Sequence, residues 1–386
     1  MFRKPINVRA AGKLAAMVAI VALAGTALTG IVIRDAQAEV NLKGKKISVI
    51  VPFSEGGGSD IYARMMAPYF EKYLPGNPKI LVLNKPGGGG TTGAVYFEQK
   101  SKKDGTWVLT LSTSTAANYA LGDPRAKFKL EEFIPIILSP RGITQYGRNN
   151  LGLQDVSDLK GKVEKLRSYD PRQLAFGGKT PTSGDLALRI ALSLLEVEVN
   201  SVWGLGGNGP MALGFERGEF TLSYDNTLAY LKSRKHMIES GMAVPIYTFG
   251  NYDENGKLTR DPALPDVPHF VEVYKAVYGK EPSGDGFEAW KSMMGVSVSM
   301  SKSLLLPAGA PKDVVEAWRE AARKMLADPE YVAKATAEAG PYPQIVGDAA
   351  TPIIRESVTI SPAAKKWIAK YVKDRYDVDL NKAKLD

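Results

Sequence analysis

The sequence predicts an α/β protein of two domains, and three observations carry that expectation. The chain has 386 residues, more than one ordinary domain of about 100 to 200. It is 44% hydrophobic and 24% charged, the balance of a folded chain with a sizeable core. A β-rich run, a glycine-rich turn and an apolar-periodic helix follow one another repeatedly, and that alternation predicts mainly parallel sheets flanked by helices.

The first unit is the clearest. β-branched residues make 46–53 a strand, the turn Ser54-Glu55-Gly56-Gly57-Gly58 ends it, and apolar residues at 61, 65, 66, 70 and 74 recur at helical spacing over 59–74. Pro68 inside that segment predicts a kink or an early end. The same grammar gives a strand at 79–84, the turn Lys85-Pro86-Gly87-Gly88-Gly89-Gly90, a helix at 91–100 and a strand at 107–112. Further on, 174–176 runs into a Gly-rich turn over 177–184, a helix at 185–195 and a strand at 197–203. Residues 220–224 and 243–249 read as strands, and 250–286 as a loop-like excursion dense in Gly, Pro and Asp. A strand at 295–300 and helices at 312–326 and 362–374 complete the reading.

Arg3, Lys4, Arg9 and Lys13 precede an apolar run over 14–33, and Ala36-Gln37-Ala38 supplies small residues spaced for a signal peptidase. Residues 1–38 therefore read as an export signal cleaved after Ala38; the alternative is an uncleaved anchor, since about 20 apolar residues span a bilayer. Cleavage removes five basic residues and one acidic residue, lowering the formal charge from +9 to +5. A mildly positive chain steers small anions toward it, and without a clustered Lys/Arg block no nucleic-acid partner is expected. The chain has no cysteine, which excludes disulfides, thiolate nucleophiles and Cys-ligated zinc or iron–sulfur clusters. Its two histidines, His236 among Lys232, Arg234 and Lys235, and His269 in a Pro-rich loop, read as surface residues far from any nucleophile elbow. No catalysis, metal or cofactor is expected.

The glycine turns suit an anion. Where a strand feeds a helix through consecutive glycines, backbone N–H groups can approach a ligand closely and the first helical amides carry partial positive charge. The alternative is that these glycines only make tight turns. Ser59, Asp60, Thr91 and Thr92 are capping types at the two helix starts. Gly88-x-Gly90-x-x-Gly93 and Gly204-x-Gly206-x-x-Gly209 match a dinucleotide fingerprint, but the acid expected about 20 residues further on is poorly placed. Gly178-Lys179-Thr180 ends like a P-loop, yet Gln173 stands where its first glycine belongs.

Ile50-Val51-Pro52-Phe53-Ser54-Glu55-Gly56-Gly57-Gly58-Ser59-Asp60, followed by Ala63-Arg64, and Asn84-Lys85-Pro86-Gly87-Gly88-Gly89-Gly90-Thr91-Thr92-Gly93 together resemble the paired signature of the Bug family, the extracytoplasmic solute receptors of tripartite tricarboxylate transporters. The likeness continues through Asp104-Gly105, Gly206-Gly207-Asn208-Gly209-Pro210-Met211-Ala212, Asp225-Asn226, Leu264-Pro265-Asp266-Val267-Pro268 and Pro307-Ala308-Gly309-Ala310-Pro311.

That resemblance implies a hinged, type II-like periplasmic binding protein, with domain 1 formed by 39–140 plus 246–386 and domain 2 by 141–245. It implies a periplasmic monomer that closes over a small organic acid and hands it to membrane permease subunits. Carried over, the ligand carboxylate is gripped at the two N-terminal turns, by Ser54, Gly56, Gly57, Gly58, Ser59 and Asp60, and by Gly88, Gly89, Gly90 and Thr91. Thr113, Ser114 and Thr115 end the third strand beside the same cleft, and Thr180, Thr182, Ser183, Asp225 and Asn226 complete it from domain 2. The chain departs from the family where Asp185 replaces a usual His and where Ser201-Val202-Trp203-Gly204-Leu205-Gly206 replaces a usual His-Val-Pro-Tyr-Lys-Gly run. A ligand-presenting sensor subunit is the alternative function, and a secreted enzyme a more distant one.

Overall fold

The structure is a computed structural model that describes residues 40–252 and 257–380; the export signal expected over 1–38 lies outside them. Two sheets organise the chain. Strands β1 (Lys46–Val51), β2 (Lys79–Asn84), β3 (Trp107–Ser112) and β4 (Ile134–Ser139) begin a six-stranded sheet. Strands β5 (Ile143–Arg148), β6 (Ala175–Gly177), β7 (Asn200–Val202), β8 (Leu222–Asn226) and β9 (Ala243–Thr248) form a five-stranded sheet in the order β7-β6-β8-β5-β9. A short hairpin, β10 (Asn251–Tyr252) with β11 (Leu258–Thr259), follows. Then β12 (Lys302–Leu306) and β13 (Ile345–Val346) return to the first sheet, whose order is β13-β4-β12-β3-β1-β2.

Both sheets are mixed rather than mainly parallel. β1 runs parallel to β2 and β3, and β6 to β7 and β8, as strand–turn–helix alternation requires. But β12 lies antiparallel between β3 and β4, and β5 antiparallel between β8 and β9. Alternation informs only about strands joined by one helix. β12 arrives by a long return, and β5 continues directly from the other sheet across residues 140–142, so neither obeys that rule.

Three local expectations also change. The helix Gly58–Tyr73 does not end at Pro68: Pro68 sits on the exposed side, where a lost hydrogen bond costs least, while Tyr62, Met66 and Phe70 hold the buried side. Residues 295–298 finish the helix Asp285–Val298 rather than forming a strand; this helix is buried almost all round, so its Val-Ser-Val-Ser alternation carries no period-2 meaning. The excursion contains the helix Phe270–Tyr278, whose N-cap is His269: Nδ1 accepts from Glu272 N at 3.3 Å and Glu272 Oε2 accepts from His269 N at 2.8 Å. His269 is therefore buried, and burial holds its imidazole below the ordinary range.

The core follows the sheets. Phe70 packs on Trp318, centroids 5.0 Å apart, joining Gly58–Tyr73 to the helix Lys312–Ala327. Trp290, fully buried, meets Phe249, Phe270 and Phe287. Its helix packs against Thr113–Leu121, Leu186–Leu194 and Pro362–Tyr376, so both halves share it; each such ring contributes about 1.5–3 kcal/mol on burial. Where the chain crosses from sheet to sheet, Asp261 accepts from Thr227 Oγ1 (2.5 Å), Tyr342 OH (2.6 Å) and Ala263 N (3.0 Å). A Cβ on Gly142 would overlap the Asp261 carboxylate, so glycine is required there for close approach.

Candidate functional site

A cleft of about 400 Å³ opens at the ends of β1, β3 and β8, within the range of about 300–1,000 Å³ usual for small-molecule pockets. From the six-stranded sheet it is lined by residues 53–59, by 112–114 and by Ser301 and Lys302. From the five-stranded sheet come Lys179, residues 206–210, and residues 224–226.

Three of the helices that begin at this lining have no side-chain cap. They are Gly58–Tyr73 with N-cap Gly57, Thr113–Leu121 with N-cap Ser112, and Asn208–Arg217 with N-cap Gly207. The first-turn N–H groups of a helix lack an intrahelical acceptor, so these starts offer donors and partial positive charge to whatever occupies the cleft. By contrast Asn226, also in the lining, spends its Oδ1 on capping the neighbouring helix through Ala229 N at 3.0 Å. In the first turn Asp60 reaches back, its Oδ2 accepting from Gly56 N at 2.9 Å and its carboxylate from Arg64 Nε and Asn84 Nδ2. Burial pushes the Asp60 carboxyl upward, and the Arg64, Gly56 and Asn84 bonds outweigh it and hold it below the ordinary range.

Among the described residues the buried charges of the cleft are committed in pairs, with one exception, while Glu55 is exposed on the first turn. Lys179 Nζ donates to Asp185 Oδ1 (2.6 Å), Tyr224 OH (2.6 Å) and Asn208 Oδ1 (3.3 Å), and Lys179 N donates to Asp185 Oδ2 (2.6 Å). Tyr224 OH and Ser183 Oγ also donate to Asp185. Burial would push the Asp185 carboxyl up; the charges of Lys179 and Arg189 and these bonds prevail and hold it down. Asp225 accepts from Arg234 Nε (3.0 Å) and Tyr146 OH (2.9 Å), and burial still pushes its carboxyl up. Lys302 is the exception: it is buried in the lining, and among the described residues its ammonium makes neither a hydrogen bond nor an ion pair. Among the described residues, no cluster of three or more His, Cys, Asp and Glu could hold a metal ion.

Of the residues singled out from the sequence, Ser54, Gly56, Gly57, Gly58, Ser59, Thr113, Ser114, Asp225 and Asn226 line this one cleft. The others do not. Asp60 shapes the first turn from behind it. Thr115 is buried, bonded to Ser112 Oγ at 3.2 Å. The second turn, Gly88–Gly90, is a short 3₁₀ segment held by Asn118 Nδ2 donating to the Gly88 and Gly89 carbonyls at 3.1 and 3.2 Å. Thr91 Oγ1 closes that turn by donating to Gly88 O. A Cβ on Gly89 would come within 3.4 Å of Thr180 Oγ1, so this turn abuts the loop carrying Thr180, Thr182 and Ser183. Thr182 Oγ1 donates to Asn118 Oδ1 (2.8 Å), and Ser183 Oγ to Thr180 O (2.7 Å). Sequence reasoning missed Lys179, Lys302 and the glycine turn at 206–209. The last was visible as the second of the two weak dinucleotide fingerprints; Lys302 carried no motif at all.

The architecture can now be compared with known proteins. No protein-family model matches the chain. A curated relative, described as "UPF0065 protein in the TAR-I ttuE-ttuC' intergenic region" of Agrobacterium vitis, is 26% identical over 322 residues, covering 82% of this chain and 81% of the relative. Among solved structures, the periplasmic binding protein BugD superposes with a TM-score of 0.63 at 19% identity, over 85% of this chain and 97% of that one. MatC from Rhodopseudomonas palustris, solved with bound malate, gives a TM-score of 0.59 at 19% identity, over 84% and 97%. The fold is that of a two-domain periplasmic binding protein. Within that class the chain is a homologue of the UPF0065 protein, and the resemblance to the Bug family read from its glycine turns holds.

Proposed function

We propose that this chain is an extracytoplasmic receptor that captures a small carboxylate in the cleft and delivers it to permease subunits of a tripartite tricarboxylate-type transporter. Residues 1–38 direct it to the periplasm and are removed there. Two lobes, 39–140 with 246–386 and 141–245, close over the ligand. The observation that carries this reading is the convergence of three uncapped helix N-termini on one cleft of ligand size. Each terminus favours a carboxylate by about 0.3–1 kcal/mol, rising to ~2 kcal/mol when partly buried, and hydroxyls from Ser54, Thr113 and Ser114 add donors that cost little to desolvate. Malate held by a protein of the same fold supports the choice of ligand class.

In this reading the ligand is held by Ser54, Gly56, Gly57, Gly58 and Ser59 from the first turn, by Thr113 and Ser114, and by Asn208, Asp225 and Asn226 from the other lobe. Gly88, Gly89, Gly90 and Thr91, with Thr180, Thr182 and Ser183, make the seam on which the lobes register. A thermal-shift panel of mono-, di- and tricarboxylates and aromatic acids tests it. An acid at 100 times its Kd adds about 2.7 kcal/mol of stability; stabilisation by neutral or cationic solutes alone would overturn the reading.

A further inference from the structure

We propose that Lys302 is a specificity-determining residue of the cleft, its ammonium pairing with a second anionic group of the ligand so that dianionic acids are selected over monoanionic ones of similar size. The proposal rests on the carboxylate-receptor reading and adds the ligand's charge to it.

The first support is position. Lys302 opens β12 and is paired across the sheet with Ser112 on β3 and Ser139 on β4, so its side chain shares their face at the sheet end that lines the cleft. β12 lies two strands from β1 in the order β12-β3-β1, which at about 4.8 Å per strand puts it about 10 Å from the strand that feeds the first glycine turn. With the lysine side chain extending from β12, a ligand held at that turn by one carboxylate meets the ammonium with a second anionic group.

The second support is an unanswered charge. Lys302 is 9% exposed, and among the described residues nothing accepts its protons. The charged groups that bear on it are Arg141, from the crossing segment, and Lys179. The buried acids of the cleft are committed elsewhere, Asp185 to Lys179 and Asp225 to Arg234, and Glu55 sits exposed on the first turn. Its cross-strand partners on β3 and β4 are the hydroxyl residues Ser112 and Ser139, and Ser297 and Tyr224 line the same cleft. Burying an unpaired ammonium costs several kcal/mol, whereas methionine would fill the same space without that penalty. Burial and the two neighbouring cations push the Lys302 ammonium down to about 7, so an arriving carboxylate, which favours the charged form, draws in a proton above that pH.

The experiment compares the wild type with Lys302→Met and Lys302→Arg by thermal shift and by titration calorimetry in buffers of unlike ionisation enthalpy. Malate, succinate and adipate serve as diacids, and butyrate and hexanoate as monoacid counterparts. In the wild type a diacid outbinds its counterpart, its affinity falls from about pH 6 to about pH 8.5, and binding takes up protons. Lys302→Met loses about 10- to 100-fold in diacid affinity and loses the pH dependence, while its unliganded melting temperature rises; Lys302→Arg retains diacid preference without the proton uptake. A gain in apo stability alongside a loss of ligand cannot come from misfolding. Equal diacid binding by wild type and Lys302→Met overturns the proposal and leaves the carboxylate reading standing; failure of every acid to bind the wild type overturns both.

Discussion

At the scale of single residues, Asp185 does the most. It accepts from Lys179 twice, from Tyr224 and from Ser183, at complete burial. Removing its charge strands the Lys179 ammonium, so Asp185→Asn is expected to cost about 3–5 kcal/mol in urea unfolding, with Lys179→Met/Asp185→Leu recovering much of the loss. The two ionisable residues predict stability that rises with pH in two different windows. Asp185 titrates below its unfolded value of 3.8, so its contribution is present above that pH and lost as pH falls through the folded value. Lys302 releases its proton near 7 in the folded chain but near 10.5 when unfolded, so unliganded stability should rise between those values, and Lys302→Met should flatten that rise. Neither role was legible in the sequence: Asp185 stood out only as a departure from a family pattern, and Lys302 is one of 50 basic residues whose partners only tertiary structure reveals.

At the scale of elements, the glycine turns position amides rather than side chains. Gly57 has φ −79° and ψ 162°, a conformation valine adopts readily, and its nearest neighbour to an added Cβ is Ser54 O at 3.2 Å. Gly57→Val should fold with a stability change within about 1 kcal/mol, yet lose ligand affinity at least about tenfold by filling the cleft before Gly58 and Ser59. Gly89 differs, having φ +65° and an added Cβ 2.7 Å from Asn118 Nδ2; Gly89→Ala should lose about 1–2 kcal/mol of stability and leave the first-turn contacts intact. Thermal unfolding and calorimetry on the two single variants separate these effects. Strands β2 and β3 and the helix Thr91–Lys100 were readable to the residue, because strong turn signals bound them. The helix Asp285–Val298 was misread where neighbours bury every side of it, and periodicity then has no exposed face to register.

For the whole molecule, alternation in sequence revealed two α/β layers, but not the strands that make each sheet mixed. β5 and β12 are placed by long-range pairing, and no local pattern encodes a partner so distant in the chain. The crossing at residues 140–142 shows how tightly that arrangement is drawn. Gly142→Ala should reduce stability by about 1–3 kcal/mol, measured by chemical unfolding, because the methyl must displace the Asp261 carboxylate.

Asp261 also fastens its own turn, through Ala263, to two distant stretches of chain, through Thr227 and Tyr342, directly beside that crossing. A joint pinned at its axle can swing only at the far rim. In the proposed receptor, cargo would enter at the lip of the lining that carries Glu55, Ile61 and Pro210, with Ile61, 47% exposed, as its apolar doorstep. Amide exchange should slow at that lip on loading and stay unchanged around Thr227.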